Sequence, residues 1–314
     1  MRKNIRRLLS LFILTLTLTF TSIPLADLVH ADDANIITIV HTNDMHGRLS
    51  TVPSGADPAY TLLSRLDYYV DNNDVDFLFD AGDAIQGMPI SNLNKGLEML
   101  NAMKAIGYDA MTLGNHEFDF GLDNIEGLTD LGLVPIVSNN VSKEGTLLFD
   151  RNMVIEKGTN KVGVIGVTTP ETATKTHPNN IVGVEFLSPV TQVTADLNEL
   201  DGTVDLIVVL AHLGIDTETP LEWRGNYLAG VISELELETP VLVIDGHSHT
   251  EFPEGTKYGT NVLYAQTGQY LNNIGRVDID LDNFENSTAT LIPTASVVPA
   301  SPHPLQLEAE EAAS

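Results

Sequence analysis

The sequence contains no cysteine in 314 residues. That absence excludes thiol nucleophiles, thiolate zinc sites, disulfide frameworks and a lipid-modified N-terminal Cys. A chain without cross-links relies on its core and on any metal it binds. Basic residues are scarce as well: 16 Lys and Arg stand against 43 Asp and Glu, a formal net charge of −27. Such a balance argues against long-range attraction to nucleic-acid polymers or anionic membranes. It leaves room for small anionic substrates, because bound metal ions dominate the local field of a site. Beyond the first 31 residues no apolar run is long enough to span a bilayer. What is present is an ordinary hydrophobic share of 43%, enough for a real core. There is no internal repeat, and the length suits one large domain or two smaller ones.

The N-terminus reads as a separate segment. Arg2, Lys3, Arg6 and Arg7 precede the apolar stretch Leu8 to Phe20, Pro24 breaks it, and Val29-His30-Ala31 offers small residues at −3 and −1. This is the pattern of a secretory signal peptide over residues 1–31, with cleavage predicted after Ala31 and export to the medium, the cell surface or the periplasmic or cell-wall space; the alternative is an uncleaved membrane anchor, for which the apolar core is short. Four of the 16 basic and one of the 43 acidic residues lie in it, which leaves 12 against 42. Residues 32–285 are expected to form one domain, and 286–314 a Pro-containing tail or the start of a linker.

Apolar runs predict strands over Ile36–Val40, Val75–Phe79, Ala110–Leu113, Val134–Val137, Val162–Val167, Leu206–Leu210, Val241–Ile244 and Asn261–Tyr264. Most lack polar alternation, as strands covered on both faces do. Helical spacing links Leu62, Leu63, Leu66, Tyr69 and Val70, and again Leu93, Leu97, Leu100, Met103 and Ile106, with weaker stripes in Val190–Leu200 and Leu228–Leu235. Strand–helix alternation implies a layered α/β domain.

Five short blocks carry the reactive residue types. They are His41-Thr42-Asn43-Asp44-Met45-His46-Gly47-Arg48, Ala81-Gly82-Asp83, Gly114-Asn115-His116-Glu117-Phe118-Asp119, Ala211-His212-Leu213-Gly214 and Gly246-His247-Ser248-His249-Thr250. Each follows the C-terminal end of a predicted strand, the edge where open α/β sheets gather their ligands. Of nine histidines, only His30, His177 and His303 lie outside the blocks, a concentration that packing does not explain. Taken singly, each block has an ordinary reading: Asp44 a turn cap beside a surface His46, Asn115 a helix cap with Glu117 in the first turn, His212 a satisfied loop residue. Taken together they offer ligands for two divalent ions and a spare histidine, a set suited to metal-assisted hydrolysis of a phosphate ester. Asp44 and His46, two apart beyond a strand, share a face if the chain stays extended. Asp83 can bridge two ions, with Asp80 supporting its loop, and Asp119 can orient His116 and favour its imidazolium.

The order Asp-x-His, Gly-Asp, Gly-Asn-His-Glu, His, Gly-His-x-His resembles that of the calcineurin-like metallophosphoesterases. His41 to Arg48 together with Gly114 to Asp119 looks like the 5′-nucleotidase branch, and the resemblance runs from about Ile36 to about Ile279. It implies an α/β fold, a four-layer αββα sandwich of two mixed sheets flanked by helices. It implies two divalent ions (Zn, Mn, Fe, Co or Mg, which mixed His/Asp/Asn ligands do not separate). Asp44, His46, Asp83 and His249 would hold one, and Asp83, Asn115, His212 and His247 the other, with relatives varying at the His249 position. His116 and Asp119 match the catalytic dyad, and Asn115, His116 and Arg48 are the candidate substrate contacts. The implied reaction is in-line attack of an activated water on phosphorus, most naturally in nucleoside 5′-monophosphates. A 2′,3′-cyclic-nucleotide phosphodiesterase/3′-nucleotidase, a UDP-sugar hydrolase and a catalytically silent metal-binding domain are the alternatives. The partner is a small phosphate ester; oligomeric state is not legible. Full-length 5′-nucleotidases carry a second domain that binds the nucleoside, and its absence from this chain is expected to leave nucleotide specificity to analogy.

Overall fold

The structure, a computed structural model, describes residues 35–299 apart from 56, 58 and 59. The predicted signal peptide and the end of the tail lie outside the described residues. The chain begins with β1 (Ile36–Thr42), β2 (Phe77–Asp80), β3 (Ala110–Thr112) and β4 (Ile136–Val137), which are parallel neighbours in that order. A small side sheet uses β5 (Val141–Lys143) and β6 (Thr146–Leu147); β7 (Asn152–Lys157) and β8 (Asn160–Thr168) begin the second large sheet, and β9 (Val184–Phe186) completes the small one. The second sheet continues with β10 (Leu206–His212), β11 (Val241–Ile244), β12 (Thr256–Tyr258) and β13 (Val262–Ala265). Finally β14 (Asn273–Asp280) and β15 (Thr288–Pro293) return to the first sheet as antiparallel additions beside β1. Both six-stranded sheets are therefore mixed, with orders β15-β14-β1-β2-β3-β4 and β12-β13-β11-β10-β8-β7.

Side-chain alternation along each strand sets the layers. Ile37, Ile39, Phe77 and Phe79 of the first sheet meet Val164, Leu206, Val208, Leu210, Leu242 and Ile244 of the second in one buried cluster. The opposite face of the first sheet, including Val40, Leu78 and Met111, packs against α1 (Leu62–Asp71), α3 (Leu97–Ile106) and α4 (Leu122–Asp130); the short α2 (Pro89–Leu93) precedes α3. On the second sheet, past the short α5 (Thr172–Lys175), Ile207, Val209, Val241 and Val243 pack on α6 (Pro189–Leu200) and α7 (Gly225–Ser233). This is the expected four-layer αββα arrangement, and it explains the unbroken apolar runs: both faces of the central strands are covered.

Two details depart from the expectations. Leu93 does not join the helical stripe; it is 82% exposed and ends α2, and the left-handed Lys95 (φ 48°) and Gly96 (φ 92°) separate it from α3, which begins at Leu97. The stretch expected as tail from 286 contains β15, whose Thr288-Ala289-Thr290-Leu291-Ile292 pairs with β14 and buries Ala289. Its proline stands at the last position of an edge strand, where the missing N–H is tolerated. Among the described residues no helix is long and apolar enough to cross a membrane.

Phe79 is fully buried between the sheets. Phe79→Ala is expected to destabilise the fold by roughly 3–5 kcal/mol through lost burial and a residual cavity, read as a lower urea midpoint; a change below about 1 kcal/mol would contradict a packed inter-sheet layer.

Candidate metal centre

The five blocks leave the C-terminal ends of β1, β2, β3, β10 and β11. The register brings these ends level, with Thr42 opposite Asp80, Asp80 opposite Met111, and Leu210 opposite Ile244. Beyond β1 and β2 the two loops stay paired: the Asp44 N–H donates to the Gly82 carbonyl and the His46 N–H to the Asp83 carbonyl, each at 2.9 Å. Asp44 and His46 do not share a face by extended alternation as expected. Both are left-handed, with φ of 50° and 48°, as are Asp83 (55°), His247 (72°) and His249 (54°). Non-glycine residues in this region are uncommon and store strain at sites that over-determine them.

These turns gather two groups of ligand atoms, Asp44 with His46 and His249, and Asp83 with His212 and His247, each group within 4.8 Å. Asp83 joins them. Its Oδ2 lies 3.1 Å from His212 Nε2 and 4.0 Å from His46 Nε2, while its Oδ1 accepts the His116 N–H at 2.8 Å. His46 Nε2 and His249 Nε2 are 3.3 Å apart. Ring orientations are fixed from behind: His46 Nδ1 donates to the Gln86 carbonyl (3.0 Å), His212 Nδ1 to the Ala81 carbonyl (2.7 Å) and His247 Nε2 to Glu171 (2.9 Å). Each ring thus keeps one nitrogen for the centre, the arrangement typical of metal-ligating histidines. Asn115 Oδ1 is buried without a hydrogen-bond partner, and His212 Nε2 faces Asp83 Oδ2 at 3.1 Å with no other partner. Buried polar atoms of that kind fit a divalent cation, which would complete both.

Electrostatics agree with the geometry. Burial opposes ionisation of Asp83, yet the His212 imidazole beside it holds its carboxyl well below the usual range. Burial likewise opposes charge on His212, but Asp83 overrides it and raises its pKa to about 10. The His116 pKa is raised by its 2.6 Å hydrogen bond from Nδ1 to Asp119 Oδ2, against its own burial. Asp119 is itself held by Thr176 Oγ1 (2.7 Å) and Asn180 Nδ2 (2.8 Å).

A sequence model described as calcineurin-like phosphoesterase matches residues 37–251. The chain belongs to the calcineurin-like phosphoesterase family. Its domain is that of metal-dependent phosphoric ester hydrolases, and its likeness in sequence is to the 5′-nucleotidases. A 5′-nucleotidase of Vibrio vulnificus is 32% identical over 286 residues, covering 81% of this chain and 50% of the relative. A mouse 5′-nucleotidase is 34% identical over 235 residues, covering 68% and 38%. The chain thus spans about half, or less, of the length of these relatives. Among solved structures, a 5′-nucleotidase precursor from Thermus thermophilus aligns with a TM-score of 0.67 at 27% identity, covering 88% of this chain and 57% of that one. A calcineurin-like phosphoesterase from Bacillus subtilis shares the fold, with a TM-score of 0.71 at 21% identity, covering 88% and 96%.

In this member of the phosphoesterase family several supporting residues escaped the sequence reading. Asn115 stands at the cap of a 3₁₀ turn (His116–Phe120), but its side chain makes no cap bond. Glu117 stands in the first turn as expected, and beyond that it is fully buried and accepts the N–H groups of Asp83, Ala84, Ile85 and Gly114. Burial pushes its pKa up to about 7. Asp245 accepts the N–H groups of Leu213, Gly214 and Gly246 and the Tyr264 hydroxyl. Asp80 supports its loop as expected, accepting from Gly82 N–H and Thr42 Oγ1. Arg48 lies with its guanidinium 4.1 Å from the centroid of the Tyr270 ring, which also packs edge-on to His46. His41 opens the first block but stays out of the centre, buried in the sheet under Gly275 with its pKa lowered to about 3 by burial. The glycines of Glu117 and Asp245 loops had a visible signal, since such turns need N–H acceptors; a buried carboxylate three residues from Gly114 is the one that supplies them.

Two outcomes follow from this geometry. Without metal, His212 carries a proton at any pH below about 10, and a cation must displace it. Apparent affinity for Mn²⁺ should rise with pH, and calorimetry at pH 8 in buffers of different protonation enthalpy should find about one proton released per filled centre; no release would contradict the His212 geometry. Glu117→Gln replaces one acceptor oxygen with a donor facing N–H groups. It should weaken metal binding roughly 10–100-fold, measured by metal titration against unaltered circular dichroism.

Proposed function

We propose that this chain is an exported, dinuclear metal-dependent phosphoesterase whose substrates are nucleoside 5′-monophosphates, cleaved to nucleoside and phosphate. The observation that carries the reading is Asp83 Oδ2 lying between His212 Nε2 at 3.1 Å and His46 Nε2 at 4.0 Å, with the His116–Asp119 pair alongside. Asp44, His46, Asp83 and His249 would hold one ion, and Asp83, Asn115, His212 and His247 the other. When bound, two such ions supply Lewis-acid charge and activate water at neutral pH.

The chain's own groups do the rest. With Nδ1 committed to Asp119, His116 presents Nε2 to the substrate, and its raised pKa keeps a proton available. That proton stabilises developing charge or passes to the leaving oxygen, while Asp119, fixed by Thr176 and Asn180, prevents the ring from turning. Asn115 and Arg48 are assigned to substrate contact, Arg48 being held over Tyr270 at the rim. The nucleotide assignment draws on the names of the relatives, and export on the N-terminal pattern.

Phosphate release from AMP and from an aryl phosphate, before and after chelation and Mn²⁺ or Zn²⁺ re-addition, tests the reading. Metal-restored release from both supports it; release from the aryl ester alone keeps the chemistry and removes the nucleotide assignment; none from either, with metal bound, overturns it. His116→Ala should lower kcat roughly 10²–10⁴-fold with two metal equivalents retained.

A further inference from the structure

Outside the metal centre, a cleft of about 480 Å³ opens beside the dyad. It is contiguous with the dyad through two residues: Asn180, which donates to the Asp119 carbonyl at 2.8 Å, and Phe120, which follows Asp119 in the chain. Its lining includes Lys95, from the loop before α3, and Lys143 of β5, together with Asn124 and Asn179. Lys95 is held in a left-handed conformation (φ 48°), and its carbonyl accepts Asn124 Nδ2 at 3.1 Å. The backbone that carries this ammonium is thereby tied to the start of α4.

The charges are the informative part. Beyond residue 31 only 12 basic residues face 42 acidic ones, so each base has several potential partners. Arg151, Lys157, Lys175 and Arg276 do form ion pairs, while others such as Lys104 and Lys161 have none among the described residues, so it is the shared cleft that sets Lys95 and Lys143 apart. Lys95 and Lys143 share one cleft, and among the described residues neither has a carboxylate within 4.0 Å. Asp123 also lines the cleft and offsets part of that charge, leaving it net positive. Two like charges lining one concavity favour an anion there.

We propose that this cleft binds a second phosphate carried on the leaving group of a bisphosphate ester, a substrate class beyond the nucleoside 5′-monophosphates, whose leaving group carries none. The proposal rests on the phosphoesterase reading for the placement of the scissile phosphate at the metal centre. The scissile phosphorus–oxygen bond breaks, water oxygen forms the new bond to phosphorus, and the leaving alkoxide takes a proton, so hydrolysis needs no further reactant. Phe120 and the exposed Val182 give the wall against which the carbon skeleton of the leaving group rests. The same lysines would hold free inorganic phosphate, and the two sources are separable.

The kinetic arm compares fructose 1,6-bisphosphate with fructose 6-phosphate and an aryl phosphate on the metal-loaded protein. The wild type should favour the bisphosphate in kcat/KM by about tenfold, a difference of about 1.4 kcal/mol. Lys95→Ala with Lys143→Ala should abolish that preference and leave the other two substrates within about twofold. The binding arm measures inorganic phosphate by equilibrium dialysis in EDTA, which empties the metal centre. Phosphate bound there and lost in the double variant, without a bisphosphate preference, assigns the cleft to the free anion and overturns the leaving-group assignment. Neither effect overturns the cleft as an anion site. A metal-loaded wild type inactive on every ester would instead overturn the phosphoesterase reading, and dialysis would still decide the cleft.

Discussion

The arrangement depends on one buried carboxylate, Asp83, which connects three parts of the fold. It sits past β2 of the first sheet, faces His212 at the end of β10 in the second, and accepts the His116 N–H from the loop after β3. An isolated carboxylate buried to this degree would take up a proton or find a cation. Here imidazoles face it, and the His212 pair holds it ionised. In the metal-free protein the proton on His212 occupies the role that a cation would take.

Holding Asp83 in place falls to groups that never touch the centre. Glu117 collects four backbone N–H groups from the two loops around it, and Asp245 collects three from the loops that carry His212 and His247. Each buried acid supplies acceptors that tight turns cannot supply for themselves. Close backbone approach completes the fit: a Cβ at Gly114 would lie 2.1 Å from Asp83 Oδ1, so only hydrogen is accommodated. The five left-handed ligand residues are the strained counterpart of this support.

The sheets were legible because both faces of their central strands are covered, so composition alone marked β10 and β11. Strand–helix alternation marked a layered α/β domain, and the four-layer αββα order came from the resemblance. The edges were less legible. β15 alternates Thr and aliphatic residues over only four positions, Thr288 to Leu291, and ends in proline, a pattern that a loop imitates. Leu93 has helical spacing to Leu97, but spacing does not register the left-handed Gly96 between them. At the site, residue types and their position after strands were readable, because metal ligation and histidine chemistry restrict the choice. The turn conformation of Asp44 and His46, and the support from Thr176, Asn180, Glu171 and Asp245, were not, since these contacts join segments far apart in sequence.

An acidic protein that handles phosphate esters has to separate its surface field from its site. At physiological ionic strength the field of exposed carboxylates decays over about 8 Å, whereas groups in the site act at contact. The surface charge therefore lowers the rate of encounter more than the strength of the final complex. With so few basic residues, attraction for a phosphoryl group has to be concentrated where it is needed: at the imidazoles and the cations they suit, and at the His116 imidazolium favoured by Asp119. Discrimination then rests on short-range geometry, since nothing at long range draws in polyanions indiscriminately. Lys95 and Lys143, in the cleft that Asn180 and Phe120 join to the dyad, follow the same economy.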